Sequence, residues 1–336
     1  MSNNRYRRRP KVRYDRIIGV AAIFIVLIII LVSCCKSCGK DNDKEGGTTS
    51  SIVPTENKNS KKDNDSEIKD DKNGDSSSDN TQTDLSYSTI SAMPNEIGKG
   101  DQILVNSDHA YEFPISEESG EIVPIYEYMT NSYQAKDYEI SLSKNTILAL
   151  NNLMDAFYNE TGSTELMVVS GYRTKEAQNE DFESGSSEIK GGYSEYHTGM
   201  SFSLSIWGDS PYYYENSGIY SWIAENCAKY GFITRYPEDK KSKTGVEGKQ
   251  YQFRYVGIPH AVYMYENNLC LEEYIDTVKN YTADGEHIKV SSDSKKYEIY
   301  YVPQNPSANT EISVPSDKSY TISGNNVDGF IVTVEL

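Results

Sequence analysis

Three short runs of this 336-residue chain gather the side chains that could bind or react: Ser170-Gly171-Tyr172-Arg173 with Gln178, Ser194-Glu195-Tyr196-His197-Thr198-Gly199, and Lys249-Gln250-Tyr251-Gln252-Phe253-Arg254-Tyr255-Val256-Gly257. A guanidinium pairs with a carboxylate in a two-pronged, charge-assisted geometry, so Arg173 is a candidate carboxylate anchor. Its plainer role is to cap a helix or pair with a nearby acid. Lys249 offers a second positive charge, or a solvated loop lysine after Gly248. His197 is the one imidazole in these runs. Ser201, Ser203 and Ser205 share one face of a strand expected over Met200 to Ile206, with Met200, Phe202 and Leu204 on the other.

Regular elements must deliver these residues. Leu166 to Val169 reads as a buried strand that brings Ser170 to Arg173 to its end, and Lys175 to Phe182 continues as a helix. Before them a helix starts at Ser143, a capping residue, with Ile147, Leu150, Met154 and Phe157 at helical spacing and Gly162 at its end. Gln102 to Asn106 reads as an opening strand, Tyr220 to Tyr230 as a helix ended by Gly231, and Gln252 to Val256 as a strand. Pro259 to Val278 is mostly helical, with His260 structural. His109 and His287 are expected at the surface. From about 285 onward, His287 to Val290, Tyr297 to Val302, Glu311 to Val314 and Phe330 to Val334 are short β-like runs, with a turn at Ser323-Gly324-Asn325-Asn326. That appendage is too short to hold much core alone and should pack on the main domain.

The three runs resemble the VanY-type zinc D-alanyl-D-alanine carboxypeptidases, bacterial cell-wall peptidases. Their pattern reads S-G-Y-R-S-x-x-x-Q, then S-x-H-x-x-G-x-A-x-D, then E-x-W-H-x-R-Y-V-G. The resemblance covers about residues 97–280. It implies an α+β fold, a small, mostly antiparallel sheet with packed helices, followed here by the short C-terminal β appendage. It also implies that Arg173, Gln178 and Ser194 hold the terminal carboxylate and backbone of a peptide. The framework is kept while the metal chemistry is not. The family's zinc ligands fall on Tyr196, Ser203 and Gln252, and its catalytic glutamate on Lys249.

Register decides that reading. Ser194 and Gly199 fix the ligand position at Tyr196, and Phe253 to Gly257 fix the other at Gln252. His197 is one residue late, and in an extended segment such a slip turns the side chain to the opposite face unless a bulge re-aims it. Catalytic zinc needs three good protein ligands and an open position for water. Without the metal, water keeps a pKa near ~16 rather than about 7. An ordinary lysine is protonated at neutral pH and cannot accept a proton there. The expected function is therefore a degenerate carboxypeptidase that binds peptidoglycan stem peptides ending in D-Ala, through Arg173, Gln178, Ser194 and Lys249, without hydrolysis and with no cofactor. The alternatives are an active zinc enzyme using displaced groups such as His197 and Glu247, and an envelope scaffold.

Composition sets the surroundings. Seven basic residues against Asp15 give the first 16 residues a surplus of six positive charges, so the net −17 of the chain leaves about −23 beyond them. So acidic an exterior argues against nucleic acid as a partner. Ile17 to Cys35 is an uncharged run that rises ~28 Å as a helix, enough to span a bilayer. The positive-inside rule then puts residues 1–16 in the cytoplasm and the rest outside the cell membrane. Leu31-Val32-Ser33-Cys34 also resembles a lipobox, in which case Cys34 would be lipidated. Residues 39–86 have almost no apolar side chains and read as a disordered tether. A carboxypeptidase-like domain is expected over 87–282 and the β appendage over 283–336. The five cysteines are too few and scattered for a disulfide scaffold. The 28 tyrosines admit a glycan-stacking role, though loop tyrosines are common.

Overall fold

The computed structural model describes residues 86–114, 122–208 and 212–336. The expected cytoplasmic segment, the anchor over 17–35, Cys34 and all but the last residue of the tether lie outside them. Among the described residues, no helix is long and apolar enough to cross a membrane.

After an N-terminal strand β1 (Tyr87–Ala92), the chain lays down β2 (Ile122–Pro124), β3 (Gln134–Ala135) and β4 (Ser141–Ser143), then the long helix α1 (Lys144–Thr161). Ser143 caps α1, its Oγ accepting from the Thr146 amide, and Gly162 ends it at φ 72°. That left-handed conformation suits a residue without Cβ. β5 (Leu166–Ser170), α2 (Lys175–Glu183), β6 (Ser201–Ile206) and β7 (Tyr212–Tyr213) follow. Next come α3 (Ser221–Asn226), β8 (Phe232–Tyr236), α4 (Lys241–Thr244) and β9 (Lys249–Tyr255).

The central sheet has the order β3-β5-β6-β9-β8, with β7 also paired to β6; only β3 runs parallel to its neighbour. One face of α1 (Ile147, Leu150, Leu153, Met154, Phe157) is buried against Leu166, Val168, Phe202, Leu204 and Phe253 of the sheet. Each such side chain contributes about 1.5–3 kcal/mol by leaving water.

Two irregularities in this sheet matter for the site. Val168 pairs with Leu204 but Ser170 with Ser203, so β5 carries one extra residue just before the Gly171 turn. Thr234 pairs with Phe253 but Tyr236 with Lys249, so β9 advances four residues while β8 advances two. Bulges of this kind re-aim side chains at the point where a ladder breaks.

The chain then forms α5 (Ile258–Glu266), α6 (Leu271–Val278), β10 (Ile288–Ser292), β11 (Lys295–Pro303), β12 (Thr310–Pro315), β13 (Ser319–Gly324) and β14 (Gly329–Glu335). Strands β10-β11-β14-β13 make an antiparallel sheet, and β12 pairs with β1. Alternation along β11 and β14 serves two cores. Ile299, Tyr301 and Ile331 join Ala261, Leu271 and Ile275 on the helices. Tyr300, Val302, Phe330 and Val332 face Ile312 and Val314. His260 cross-links the layers, one ring nitrogen bonded to the Tyr274 hydroxyl and the other 2.9 Å from Thr333 Oγ1, while burial pushes its pKa down to about 3.

Several elements differ from expectation. Gln102 to Asn106 is buried but is not a strand; the Leu104 amide bonds to Asn325 O, and the Gln102 amide to Ser323 Oγ. The expected Tyr220 to Tyr230 helix is α3 followed by a 3₁₀ turn over Cys227–Tyr230. β8 and β13 were not foreseen. Neither was β1, which precedes the central sheet in sequence yet pairs with the C-terminal strand β12.

Candidate functional site

The bulge in β5 turns the chain into Gly171 to Arg173, and Thr174 then caps α2 by accepting from the Ala177 amide. Facing this turn, Glu195–Thr198 forms a 3₁₀ turn that Ser194 caps and Gly199 ends at φ 67°. The left-handed conformation favours glycine there, and a Cβ would also press on the Ser143 amide nitrogen at 3.1 Å and force the Ile122 side chain to shift.

Sequence-distant residues meet between these turns and the middle of the sheet. Tyr196 Oη lies 2.7 Å from Ser203 Oγ. Ser203 sits directly opposite Gln252 on β9, whose Nε2 donates to Ser201 Oγ at 3.3 Å. Burial pushes the Tyr196 phenol up in pKa, against the opposing pull of the Ser203 hydrogen bond and the Arg173 charge. It is therefore a neutral phenol at physiological pH.

Two cations border this neutral cluster. The Arg173 guanidinium lies 4.5 Å from the Tyr196 ring centroid, and its Nη1 donates to Asp181 at 2.7 Å and to Gln178 Oε1 at 3.3 Å. Lys249 Nζ lies 5.5 Å from the Tyr236 ring centroid and has no hydrogen bond or ion pair among the described residues. Burial pushes the Lys249 pKa down and the Arg173 charge adds to this, while Glu188 works against both. An ammonium partly withdrawn from water without an anionic partner is unfavourable in the free protein.

The other expected residues support the site rather than form its centre. Gln178 is buried and donates to Ser187 Oγ and Ile189 O, which fixes the following loop. Ser194 caps the 3₁₀ turn, its Oγ accepting from the Tyr196 amide at 3.4 Å. Both ring nitrogens of His197 are committed to the backbone: Nε2 accepts from the Gly192 amide at 2.9 Å, so Nδ1 carries the proton donated to Arg173 O at 2.7 Å. The ring also lines a cavity of about 750 Å³ whose walls include none of Tyr196, Ser203, Lys249 or Gln252. Glu247 pairs with Lys241 at the exposed surface.

Sequence reasoning missed the ion network beneath the turn. Glu195 is fully buried between Arg254 and Arg235, the latter 2.7 Å away, and Arg235 also forks onto Glu272. Arg254 donates further to the carbonyls of Asp101 and Ile103. The network anchors the Ser194–Gly199 turn to β8, β9 and α6 at once. A sequence signal existed in the Arg-Tyr pairs Arg235-Tyr236 and Arg254-Tyr255 inside apolar strands. Their common partner lies at least 40 residues away. Also unforeseen is a stacked pair, Tyr213 and Tyr251, with ring centroids 4.2 Å apart at 19°.

The donor set does not fit zinc. A neutral phenol, a hydroxyl already bonded to that phenol, and a primary amide are weak ligands beside imidazole and carboxylate. Among the described residues, no three His, Cys, Asp or Glu side chains converge to hold a metal.

The fold and this arrangement define a class: an α+β domain in which two motif turns meet beside the middle strands of a mostly antiparallel sheet. The VanY family, described as D-alanyl-D-alanine carboxypeptidase, matches residues 139–258. The chain is 36% identical over 245 residues to a D-alanyl-D-alanine carboxypeptidase of Enterococcus faecium, covering 71% of this chain and 76% of that protein. A second D-alanyl-D-alanine carboxypeptidase, from Enterococcus faecalis, is 35% identical over 132 residues, 34% of this chain and 48% of that protein. Among solved structures, the vancomycin-resistance D,D-dipeptidase VanXYg, in complex with a D-Ala-D-Ala phosphinate analog, superposes with a TM-score of 0.65 at 27% identity, over 75% of this chain and 100% of that one. This chain belongs to the VanY family of D-alanyl-D-alanine carboxypeptidases. On the motif register expected from the sequence, Tyr196, Ser203 and Gln252 fall at the family's metal positions and Lys249 at that of its catalytic glutamate.

Proposed function

We propose that this protein is a membrane-tethered, extracellular member of the family that binds peptidoglycan stem peptides ending in D-Ala and does not hydrolyse them. One observation carries the reading. Tyr196, Ser203 and Gln252, which the motif register puts at the metal positions, gather as a neutral cluster, while the Lys249 ammonium has no ion pair among the described residues. A peptide carboxylate would give Lys249 an ion-pair partner, and the Arg173 guanidinium, whose Nη2 holds only a long 3.4 Å hydrogen bond to Ser170 Oγ, can make a second, charge-assisted contact. Gln178 and Ser194 act through the loop and the turn that they fix. No group in this cluster offers a metal-activated water or a carboxylate base, so a bound peptide remains intact. A hydrolytic alternative would draw ligands from His197 and Glu247, whose ring nitrogens and carboxylate have the other partners described above.

The tether belongs to this proposal as well. The basic block followed by the apolar run over 17–35 supports a single membrane span with the folded domain outside the cell, and residues 39–86 supply the reach. The test is calorimetric titration of the intact chain with an acyl-L-Lys-D-Ala-D-Ala peptide, alongside an assay for released D-Ala. Saturable binding is expected, weakened about tenfold by Lys249→Ala and by Arg173→Ala, with no release. Undiminished binding by both variants, or release of D-Ala, would contradict it.

A further inference from the structure

We infer that the stacked pair Tyr213 and Tyr251 is a subsite for the stem-peptide residues preceding the terminal D-Ala pair; this rests on the peptide-binding reading above. The rings lie nearly parallel, 4.2 Å apart at 19°, yet 56% of Tyr213 remains exposed. Exposure of that size in a mobile loop would be ordinary. Here the backbone is pinned on both sides. Ser205 Oγ donates to Tyr212 O, and Tyr214, next in sequence, is buried with its hydroxyl bonded to Tyr220 O at 2.8 Å. Tyr213 itself pairs with Ser205 on β6. The result is a fixed aromatic ledge that loses little further freedom when it takes a ligand, the property that makes tyrosine an effective contact residue.

Its place relative to the cleft selects the occupant. Tyr251 lies within the bulged part of β9, between Lys249 and Gln252. The Tyr251 and Tyr213 phenols are close enough to raise the pKa of Tyr196, while Arg173 lies over the face of the Tyr196 ring. A peptide whose carboxylate is held by Arg173 and Lys249 runs past the Tyr196 hydroxyl toward the ledge. Residues upstream of the D-Ala pair present peptide planes and aliphatic side chains, which pack on a flat aromatic face.

The test compares two ligands on the intact chain: D-Ala-D-Ala alone and the pentapeptide L-Ala-γ-D-Glu-L-Lys-D-Ala-D-Ala. The pentapeptide should bind about tenfold more tightly than the dipeptide. Tyr213→Ala should remove that advantage and leave dipeptide affinity unchanged, and Tyr213→Phe, which keeps the ring, should retain it. Thermal melting of both variants checks that the fold is intact. Equal affinity for the two ligands, or equal weakening of both by Tyr213→Ala, overturns the subsite while leaving the binding reading in place. Failure of both ligands to bind removes the two together. Displacement of the pentapeptide's extra affinity by chitotetraose would show the ledge to be a glycan site and overturn the assignment.

Discussion

Glu195 lies fully buried between two guanidiniums, whereas the next residue, Tyr196, shares a neutral hydrogen bond with Ser203. Two regions one residue apart thus have opposite electrostatics. The network around Glu195, Arg235, Arg254 and Glu272 ties the motif turn to two strands and a helix. The Tyr196, Ser203 and Gln252 cluster is neutral, and the turn's own caps are Ser194 and Gly199. On the proposed reading scaffold and chemistry are separable: the buried charges that hold the turn are complete, while the motif register puts Tyr196, Ser203, Gln252 and Lys249 where hydrolysis would need metal ligands and a base.

The largest effect should come from reversing that separation. If the scaffold alone sets the geometry, the combined variant Tyr196→His, Ser203→Asp, Gln252→His should bind about one zinc per chain, as two imidazoles and a carboxylate are sound zinc ligands. Metal analysis after dialysis checks this, and a metal-free variant of native stability would show that the scaffold has drifted from a usable geometry. Next in size, Glu195→Ala leaves two buried guanidiniums without their shared partner and should cost about 3–5 kcal/mol in denaturant unfolding. A loss under ~1 kcal/mol would mean that the network is not what holds the turn.

Lys249 gives a smaller and more selective prediction. Its charge is unfavourable in the free protein and favourable in the complex, so Lys249→Met should raise stability, by at most about 1 kcal/mol because the amine is partly solvated, while weakening peptide binding. The pH dependence follows from the lowered pKa. Between the folded pKa of Lys249 and its ordinary value of about 10.4, the unfolded chain binds more protons, so this residue's contribution to stability rises with pH across that window. Peptide affinity moves the other way, present below the folded pKa and lost as pH rises through it. Parallel melts and titrations from pH 7 to 10 would reveal the crossing trends; affinity flat over that range would detach Lys249 from the ligand. The smallest effect is Tyr196→Phe, which removes one neutral hydrogen bond and should cost about 1 kcal/mol without creating a metal site.

How much of this was legible in the sequence depends on the range of the interactions. Tyr196, Ser203, Lys249 and Gln252 were placed by fixed spacing within short motifs, and α1 by a local apolar period. β8 was not, because the buried Arg235 interrupts its apolar pattern, and its partners Glu195 and Glu272 are 40 and 37 residues away. Gln102 to Asn106 resembled a strand because burial alone produces an apolar run. Its backbone instead bonds to Ser323 and Asn325, more than 200 residues downstream. The role of Ser194 as a cap and the commitment of both His197 nitrogens to the backbone are matters of geometry that no motif encodes. The β9 bulge that brings Lys249 and Gln252, three residues apart, to one site is equally invisible without pairing partners.

The most direct measurement is zinc content and D-Ala release on the intact native chain, with zinc added back and removed by chelator, using the pentapeptide at a concentration where its binding is saturated. The account predicts bound peptide, no stoichiometric zinc and no chelator-sensitive release. One zinc per chain with metal-dependent liberation of D-Ala would contradict it.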